Sequence, residues 1–315
     1  MEKPIFIVGL HRTGSTLWHN IVAMSPEVCR LTEIRFLAPR WWQKDVAHFI
    51  RTRVESLDTD AKVERMVGMF FSRAGYPGLE GAYWRFENYQ HIVDDPEFRK
   101  DFTSRIKKSD RSSGSIFKAL IEEITRATGK TRPCVKFPLD VGHIPQLLEW
   151  YPDCKVMHIT RDPGAVATSR TNDPSGTAVR AGRHPYLSSG IRKAAILFAV
   201  MQYVWSSRLH VAYRHLPGYK LFRYEDLLYN PEEVVRDLCS FLELDFLPEM
   251  LQPQKGGHEH QPSSITGKRR KEFDKEAAWR WKNVISPRDA CMIGLLTKRS
   301  MRRLAYHPEK YLTGP

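Results

Sequence analysis

The segment GLHRTGST, residues 9–16, combines a tight turn, a permanent cation and two hydroxyl groups. Two glycines frame the turn, Arg12 lies inside it, and Ser15 and Thr16 follow it. A glycine loop that opens a helix points backbone N–H groups at an anion, so the segment predicts a site for a phosphate-type group. The lysine of a nucleotide-binding phosphate loop is missing, as is an acidic strand end for Mg²⁺. Both differences disfavour an ordinary NTPase.

A second cation stands in HITRDPGAVATSR, residues 158–170. Arg161 follows an apolar run, and Ser169 comes eight residues later on a predicted helix that Asp162 is placed to cap. Ligands of open α/β sheets gather at the carboxyl ends of the strands, where Arg12 is also expected. Two cationic sites in one crevice predict a ligand with two phosphate groups.

The elements that must position these residues alternate between strands and helices. PIFIVGL is apolar without alternation, as in a strand buried on both faces, and the residues from Ser15 to Ser25 continue at helical spacing. RPCVKFPLD, CKVMHITRDP and GYKLFRYEDL each predict a further strand followed by a helix or loop. This order predicts an α/β fold with a central parallel sheet and helices on both faces, similar to phosphate-loop proteins.

The charge of the chain points to an anionic partner. Lys and Arg number 49 against 36 Asp and Glu, which gives a net charge of +13. Such an excess suits nucleic acid, a membrane surface or a phosphorylated small molecule. The arginines of the two motifs follow predicted buried strands instead of forming one exposed basic face. This placement favours the small molecule and disfavours nucleic acid, while peripheral contact with a membrane stays open.

Length and composition set the expected organisation. The 315 residues, 42% of them hydrophobic, fit a single domain over residues 1–315, with a mostly helical insertion at 41–130 and a mobile polar loop at 252–275.

Five widely spaced cysteines without a CxxC pair disfavour a disulfide framework or a zinc site and suit a reducing compartment. The longest apolar run, 194–205, is shorter than the roughly 18 residues of a membrane span. No signal peptide is recognisable, and we expect a cytoplasmic protein.

Five segments together carry a family resemblance. GLHRTGST, VKFP, HITRDPGAVATS, FRYEDLLYNPEEVVRDLCSFLEL and WRWKN occur in an order that resembles the sulfotransferases that use 3′-phosphoadenosine 5′-phosphosulfate (PAPS). The bacterial and tyrosylprotein-type branch is the most similar, because its loop has Arg where other branches have Lys. The resemblance extends from Pro4 to about Pro287 and is weak over 41–130.

The resemblance implies which residues bind PAPS. The first loop would hold the 5′-phosphosulfate and the second motif the 3′-phosphate, with a tyrosine near the nucleotide and a serine near the sulfonate. The corresponding residues are Arg12, Thr13, Gly14, Ser15 and Thr16 for the phosphosulfate, Arg161 and Ser169 for the 3′-phosphate, Tyr224 for the nucleotide and Ser264 for the sulfonate. Arg280 is similar in placement to a late basic residue on the 3′-phosphate, and Lys282 is the competing candidate.

The resemblance also implies catalytic roles. Glu33, in LTEIRFLAPR, corresponds to the glutamate that removes the acceptor proton, and His11 and His19 are alternatives because imidazole titrates near neutrality. Lys136, at the end of the CVKF strand, would act with Arg12 on the charge that grows on the leaving phosphate oxygen. Sulfonate carries less charge than a phosphoryl group, so these cations would suffice and no metal is expected.

The sequence therefore predicts a sulfotransferase that moves the sulfonate of PAPS to a hydroxyl group. A lipid, a glycolipid, a natural product and a tyrosine are all compatible acceptors, and the 41–130 insertion would cover the acceptor side. A phosphate-loop kinase or NTPase is one alternative, and a non-enzymatic anion-binding module is another. The oligomeric state is left open by the sequence.

Overall fold

A computed structural model describes residues 3–31, 36–37, 46–71, 89–138, 140–172, 188–255 and 273–308. The strands are β1 (Ile5–Gly9), β2 (Val28–Leu31), β3 (Arg132–Pro138), β4 (Lys155–Thr160) and β5 (Tyr219–Arg223). Within the described residues they form a five-stranded sheet in the order β2-β3-β1-β4-β5, and β2–β3 and β4–β5 pair in parallel. Every residue of β1 is buried, which explains its unbroken apolar sequence. The predicted α/β class with a central parallel sheet is confirmed.

Helices account for most of the remaining described residues. They are α1 (Ser15–Val22), α2 (Val46–Phe49), α3 (Asp60–Phe70), α4 (Gln90–Val93), α5 (Pro96–Lys107), α6 (Ser113–Ala127), α7 (Ile144–Trp150), α8 (Pro163–Thr171), α9 (Ser188–Tyr213), α10 (Tyr224–Tyr229), α11 (Pro231–Leu242) and α12 (Pro287–Arg303). A π-helical turn at Ile50–Val54 extends α2, and short 3₁₀ turns include Lys275–Ala278 and Arg280–Asn283. None of the described helices has both the length and the apolar composition needed to cross a bilayer.

The chain divides into two compact units, and the first consists of residues 1–6 and 26–154. Its core is aromatic: the ring of Phe6 lies 6.2 Å from that of Phe117 and 6.0 Å from that of Phe137. Helix α6 supplies Phe117, since its inward residues recur at helical spacing and are buried. The close packing of these rings fixes β1 and β3 relative to α6.

The second unit consists of residues 7–25 and 155–315. Helix α9 packs against both α8 and α12, and the ring of Trp18 in α1 lies 5.1 Å from that of Phe222 in β5. Asp162 caps α8 as predicted, because its carboxylate accepts hydrogen bonds from the N–H groups of Gly164 (2.9 Å) and Ala165 (3.2 Å). The prediction of a single domain, with its helical insertion and its mobile loop, stays a prediction.

Candidate active site

The glycine loop between β1 and α1 requires its two glycines for different reasons. A Cβ atom at Gly9 would lie 2.5 Å from the carbonyl oxygen of Ile159, so the loop passes too close to β4 for a side chain. Gly14 has φ 89°, a left-handed conformation, and a Cβ atom there would collide with the ring of Tyr224. Arg12 also lies in the left-handed region, with φ 73°, although it is not a glycine. Its conformation stores backbone strain of the kind that is common at functional sites.

The loop leads into the N-terminus of α1, and that N-terminus is suited to bind an anion. Within the described residues, no side chain caps the N-terminus of α1, and its first turn contains no acidic residue. The hydroxyl of Thr13 is used inside the loop, where it donates to the carbonyl of Leu10 at 2.8 Å. The backbone N–H groups of the first helical turn point along the helix dipole towards the loop and favour negative charge.

The structure brings together Arg12 and Ser169, one residue from each of the two motifs. Nε of Arg12 donates to Oγ of Ser169 at 2.9 Å, across 157 positions of sequence. Arg161, which is only 8% exposed, donates from Nη1 to the backbone carbonyl of Arg12 at 3.2 Å and from Nη2 to that of Ala277 at 3.1 Å. The cation of one motif therefore supports the backbone of the other.

Tyr224 forms a wall of the same site. The guanidinium of Arg161 lies 4.5 Å from the centre of the Tyr224 ring, and the same ring lies close to the backbone of Gly14. Nε of Arg161 is buried and has no hydrogen-bond partner within the described residues. Five of the predicted residues, Arg12, Gly14, Arg161, Ser169 and Tyr224, thus lie in one cluster of the second unit.

Arg280 is placed near this cluster but is engaged elsewhere. Nη2 of Arg280 contacts Asp274 at 2.8 Å and Glu276 at 3.2 Å. Trp281 beside it packs on the first turn of α8, where a Cβ atom at Gly164 would lie 2.5 Å from the indole. The competing residue, Lys282, is exposed. The choice between Arg280 and Lys282 therefore stays a prediction.

The remaining predicted residues are distributed differently. Lys136 belongs to the first unit, in β3, and is only 6% exposed, which is unusual for a lysine and typical of a functional or paired one. Glu33 and Ser264 lie outside the described residues. His19, an alternative base, is fully buried in α1, where a packing role is the simpler explanation.

Two ionisable residues that the sequence reasoning missed adjoin the cluster. Glu225 follows Tyr224 and accepts from the backbone N–H of Asp162 (2.9 Å) and from the hydroxyl of Tyr306 (2.6 Å). Burial raises the pKa of Glu225, against the opposing effects of the Tyr306 hydroxyl and Arg161. Because the partners of Glu225 come from distant segments, only its position beside Tyr224 could have marked it in the sequence as a residue near the site.

The second missed residue is Arg170, which follows Ser169 on α8. Its Nη1 donates to Oε1 of Gln202 on α9. Burial, and then the like charge of Arg12, lower the pKa of Arg170 to about 10, so the side chain is still a cation at neutral pH. In the described parts of the chain, no group of three or more His, Cys, Asp or Glu side chains is arranged to hold a metal ion.

Comparison with known proteins agrees with this architecture. A family model described as the sulfotransferase family matches residues 4–248. The sulfotransferase domain of the Synechococcus PCC 7002 olefin synthase is 18% identical, with a TM-score of 0.56 over 98% of this chain and 97% of that one. The sulfotransferase domain of the curacin biosynthetic pathway is 19% identical, with a TM-score of 0.58 over 98% and 99%. No curated protein matched in sequence. At these identities the two structures establish the fold.

Proposed function

Since the matched region covers most of its length, this chain belongs to the sulfotransferase family, and we propose that it transfers the sulfonate of PAPS to a hydroxyl acceptor. The observation that carries the proposal is the link between the two motifs, in which Arg12 contacts Ser169 and Arg161 holds the Arg12 carbonyl. A donor with a phosphosulfate at one end and a 3′-phosphate at the other needs two neighbouring cationic sites. A nucleoside triphosphate has its phosphates on one side only.

The residues of the cluster fit such a donor. The uncapped start of α1 and the guanidinium of Arg12 would bind the phosphosulfate, with Thr13, Gly14, Ser15 and Thr16. Arg161, whose buried Nε lacks a described partner, would bind the 3′-phosphate with Ser169. Tyr224 would lie against the nucleotide, Ser264 near the sulfonate, and Arg280 or Lys282 at the 3′-phosphate.

The chemical step would depend on a base and on cations placed around the transferred group. In our proposal, Glu33 takes the proton from the acceptor hydroxyl as its oxygen bonds to sulfur. The bond from sulfur to the bridging phosphate oxygen breaks at the same time, and its electron pair stays on that oxygen. Arg12 and Lys136 would stabilise the charge that develops there. Positioning of the two reactants in line would supply much of the acceleration.

The acceptor is proposed only by class, as a hydroxyl of a lipid, a glycolipid, a natural product or a tyrosine. We also propose a cytoplasmic location. Its support is that all five cysteines are free, four of them buried, which suits a reducing compartment.

Thermal-shift measurements separate this function from its rivals. We expect strong stabilisation by 3′-phosphoadenosine 5′-phosphate (PAP) and little by ADP, which lacks the 3′-phosphate. A preference for ATP with Mg²⁺ would instead indicate a kinase or NTPase, and no response to any nucleotide would indicate an unrelated anion-binding module. Transfer itself is then measured with labelled PAPS and a panel of hydroxyl acceptors.

A further inference from the structure

One edge of the Arg170 guanidinium, beside the site at the glycine loop, has no hydrogen-bond partner within the described residues. Its Nη1 is occupied by Gln202, whereas Nε and Nη2 are both buried and have no partner within the described residues. The N–H groups of Nε and Nη2 lie on the same edge of the guanidinium. That edge forms paired hydrogen bonds with carboxylate, phosphate or sulfonate oxygens.

The electrostatic surroundings of Arg170 make this edge a costly one to leave empty. Among the residues that the structure describes, Arg12 is a charged neighbour of like sign, and both the burial and this neighbour oppose the ionisation of Arg170. Buried cations are ordinarily paired, because an unpaired one loses its hydration without compensation. An anion between the two arginines would satisfy the Arg170 edge and offset their repulsion.

We propose that the Nε–Nη2 edge of Arg170 binds an anionic oxygen group of a ligand held at the loop. The group is either a phosphate or sulfonate of the donor or an acidic group of the acceptor. The inference rests on the proposed function for the identity of these ligands. It adds a residue that the sequence motifs do not assign, held in position by Gln202.

Calorimetric titration of PAP into the wild type, Arg170→Gln and Arg170→Lys tests the donor as the source. We expect a loss of affinity of about tenfold or more in Arg170→Gln. Only partial recovery is expected in Arg170→Lys, since lysine keeps the charge but lacks the paired edge. Arg288→Gln, an exposed residue at the start of α12, is the matched control for the change in charge.

Titration of inorganic sulfate into the PAP-saturated proteins tests the acceptor as the source. If the edge faces the acceptor, PAP affinity stays unchanged, and the wild type binds sulfate at least about tenfold more tightly than Arg170→Gln does. The proposal is overturned if the variants remain folded and neither PAP nor sulfate affinity changes, because Arg170 would then only support α8. Failure of the wild type to bind PAP would instead refute the proposed function.

An independent observation concerns the outer face of α9 and α12. Leu197, Phe198 and Met201 on α9 are 44%, 46% and 63% exposed, and Leu295 and Leu296 on α12 are 58% and 50% exposed. We call these five residues the apolar ridge. A helix that is apolar on its outer face as well as its inner one ordinarily has a partner on both sides.

The two helices that carry the apolar ridge are rich in basic residues. Together α9 and α12 contain eight Lys and Arg against one Asp, a net charge of +7, whereas the whole chain has +13. A groove of about 290 Å³ is lined by Leu295 and Leu296 and by Arg208, Arg299 and Arg303. Apolar side chains framed by Lys and Arg are the composition of elements that lie in the surface of an anionic bilayer.

We infer that the apolar ridge docks on a membrane that contains anionic lipid. A second copy of this chain fits less well, because a two-fold interface would place the same cations opposite one another. The apolar side chains would enter the bilayer surface while the surrounding arginines and lysines contact lipid phosphates.

Co-sedimentation with vesicles tests this second proposal. We expect binding to vesicles that contain phosphatidylglycerol but not to pure phosphatidylcholine, with a loss of about tenfold in the double variant Phe198→Ser, Leu295→Ser. Val284→Ser, an exposed apolar residue outside the apolar ridge, is the control. Equal binding to both vesicle types, or no binding at all, would overturn the proposal. A dimer in sedimentation analysis that the double variant dissociates would also overturn it, in favour of a second copy.

Discussion

Replacement of Arg12 by glycine separates its role in ligand binding from its role in the fold. At φ 73° glycine relieves strain of about 1–2 kcal/mol, but it also adds about 0.4–1 kcal/mol of entropy to the unfolded chain. The lost hydrogen bond from Nε to Ser169 contributes about 1 kcal/mol. These effects nearly cancel. The carbonyl that accepts from Arg161 belongs to the backbone and survives the change.

The loss of ligand affinity in Arg12→Gly is not offset by any such opposing contribution. A charge-assisted hydrogen bond to the donor is worth about 2 kcal/mol, which corresponds to about a 30-fold loss of PAP affinity. We therefore expect Arg12→Gly to melt within about 4 °C of the wild type without ligand and to lose most of the stabilisation by PAP. Differential scanning fluorimetry and calorimetric titration measure the two quantities. Unchanged PAP affinity, or a fall in the ligand-free melting temperature well beyond this range, would refute the reasoning.

Three further perturbations test other parts of the structure. Gly14→Ala should lower the free energy of unfolding by roughly 1–3 kcal/mol, since the new Cβ meets the Tyr224 ring. In urea unfolding, the double variant Gly14→Ala, Tyr224→Ala should lose less free energy of unfolding than the sum of the losses in the two single variants. Glu33→Gln should bind PAP normally yet lose turnover with labelled PAPS, and a fully active variant would exclude Glu33 as the base. Burial, and then His210, lower the pKa of His158 from 6.5 to about 3, so the unfolded chain binds an extra proton below pH 6.5. Stability should consequently fall by about 2 kcal/mol more between pH 7 and pH 5 in the wild type than in His158→Gln, whereas equal pH slopes would contradict this assignment.

The sequence predicted those features whose causes are local. The apolar run of β1, the glycine turn and the Asp162 cap each depend on a few neighbouring residues, and all three are present. Asn230 is a contrasting case: its residue type and its place before Pro231 suit a helix cap, but with φ −130° and ψ 62° its side chain makes no capping hydrogen bond to α11. The position of a cap is visible in the sequence, but the backbone geometry that lets the side chain turn back is not.

Other features depend on contacts between distant segments. Nothing in the sequence around Arg170 predicts that Gln202 holds one end of its guanidinium or that Arg12 is its charged neighbour. Glu225 likewise acquires its partners from α8 and from the segment after α12. Motif order could identify which arginines belong to the site, but only the packing of α8 against α9 distinguishes a surface arginine from a buried one.

The link between Arg12 and Arg161 explains how an arginine inside this turn could take the role of the lysine that a phosphate loop usually has at a later position. Arg12 contacts Ser169 from a left-handed backbone conformation, and Arg161 donates to the carbonyl of that same residue. The side chain proposed to bind the 3′-phosphate therefore also fixes the residue proposed to bind the phosphosulfate. In this proposal one guanidinium serves both ends of the donor, so a nucleotide without a 3′-phosphate would lose more than a single contact, since the loop would also be held less firmly. On this proposal, discrimination between PAP and ADP would arise from the geometry of the loop as well as from one additional ion pair.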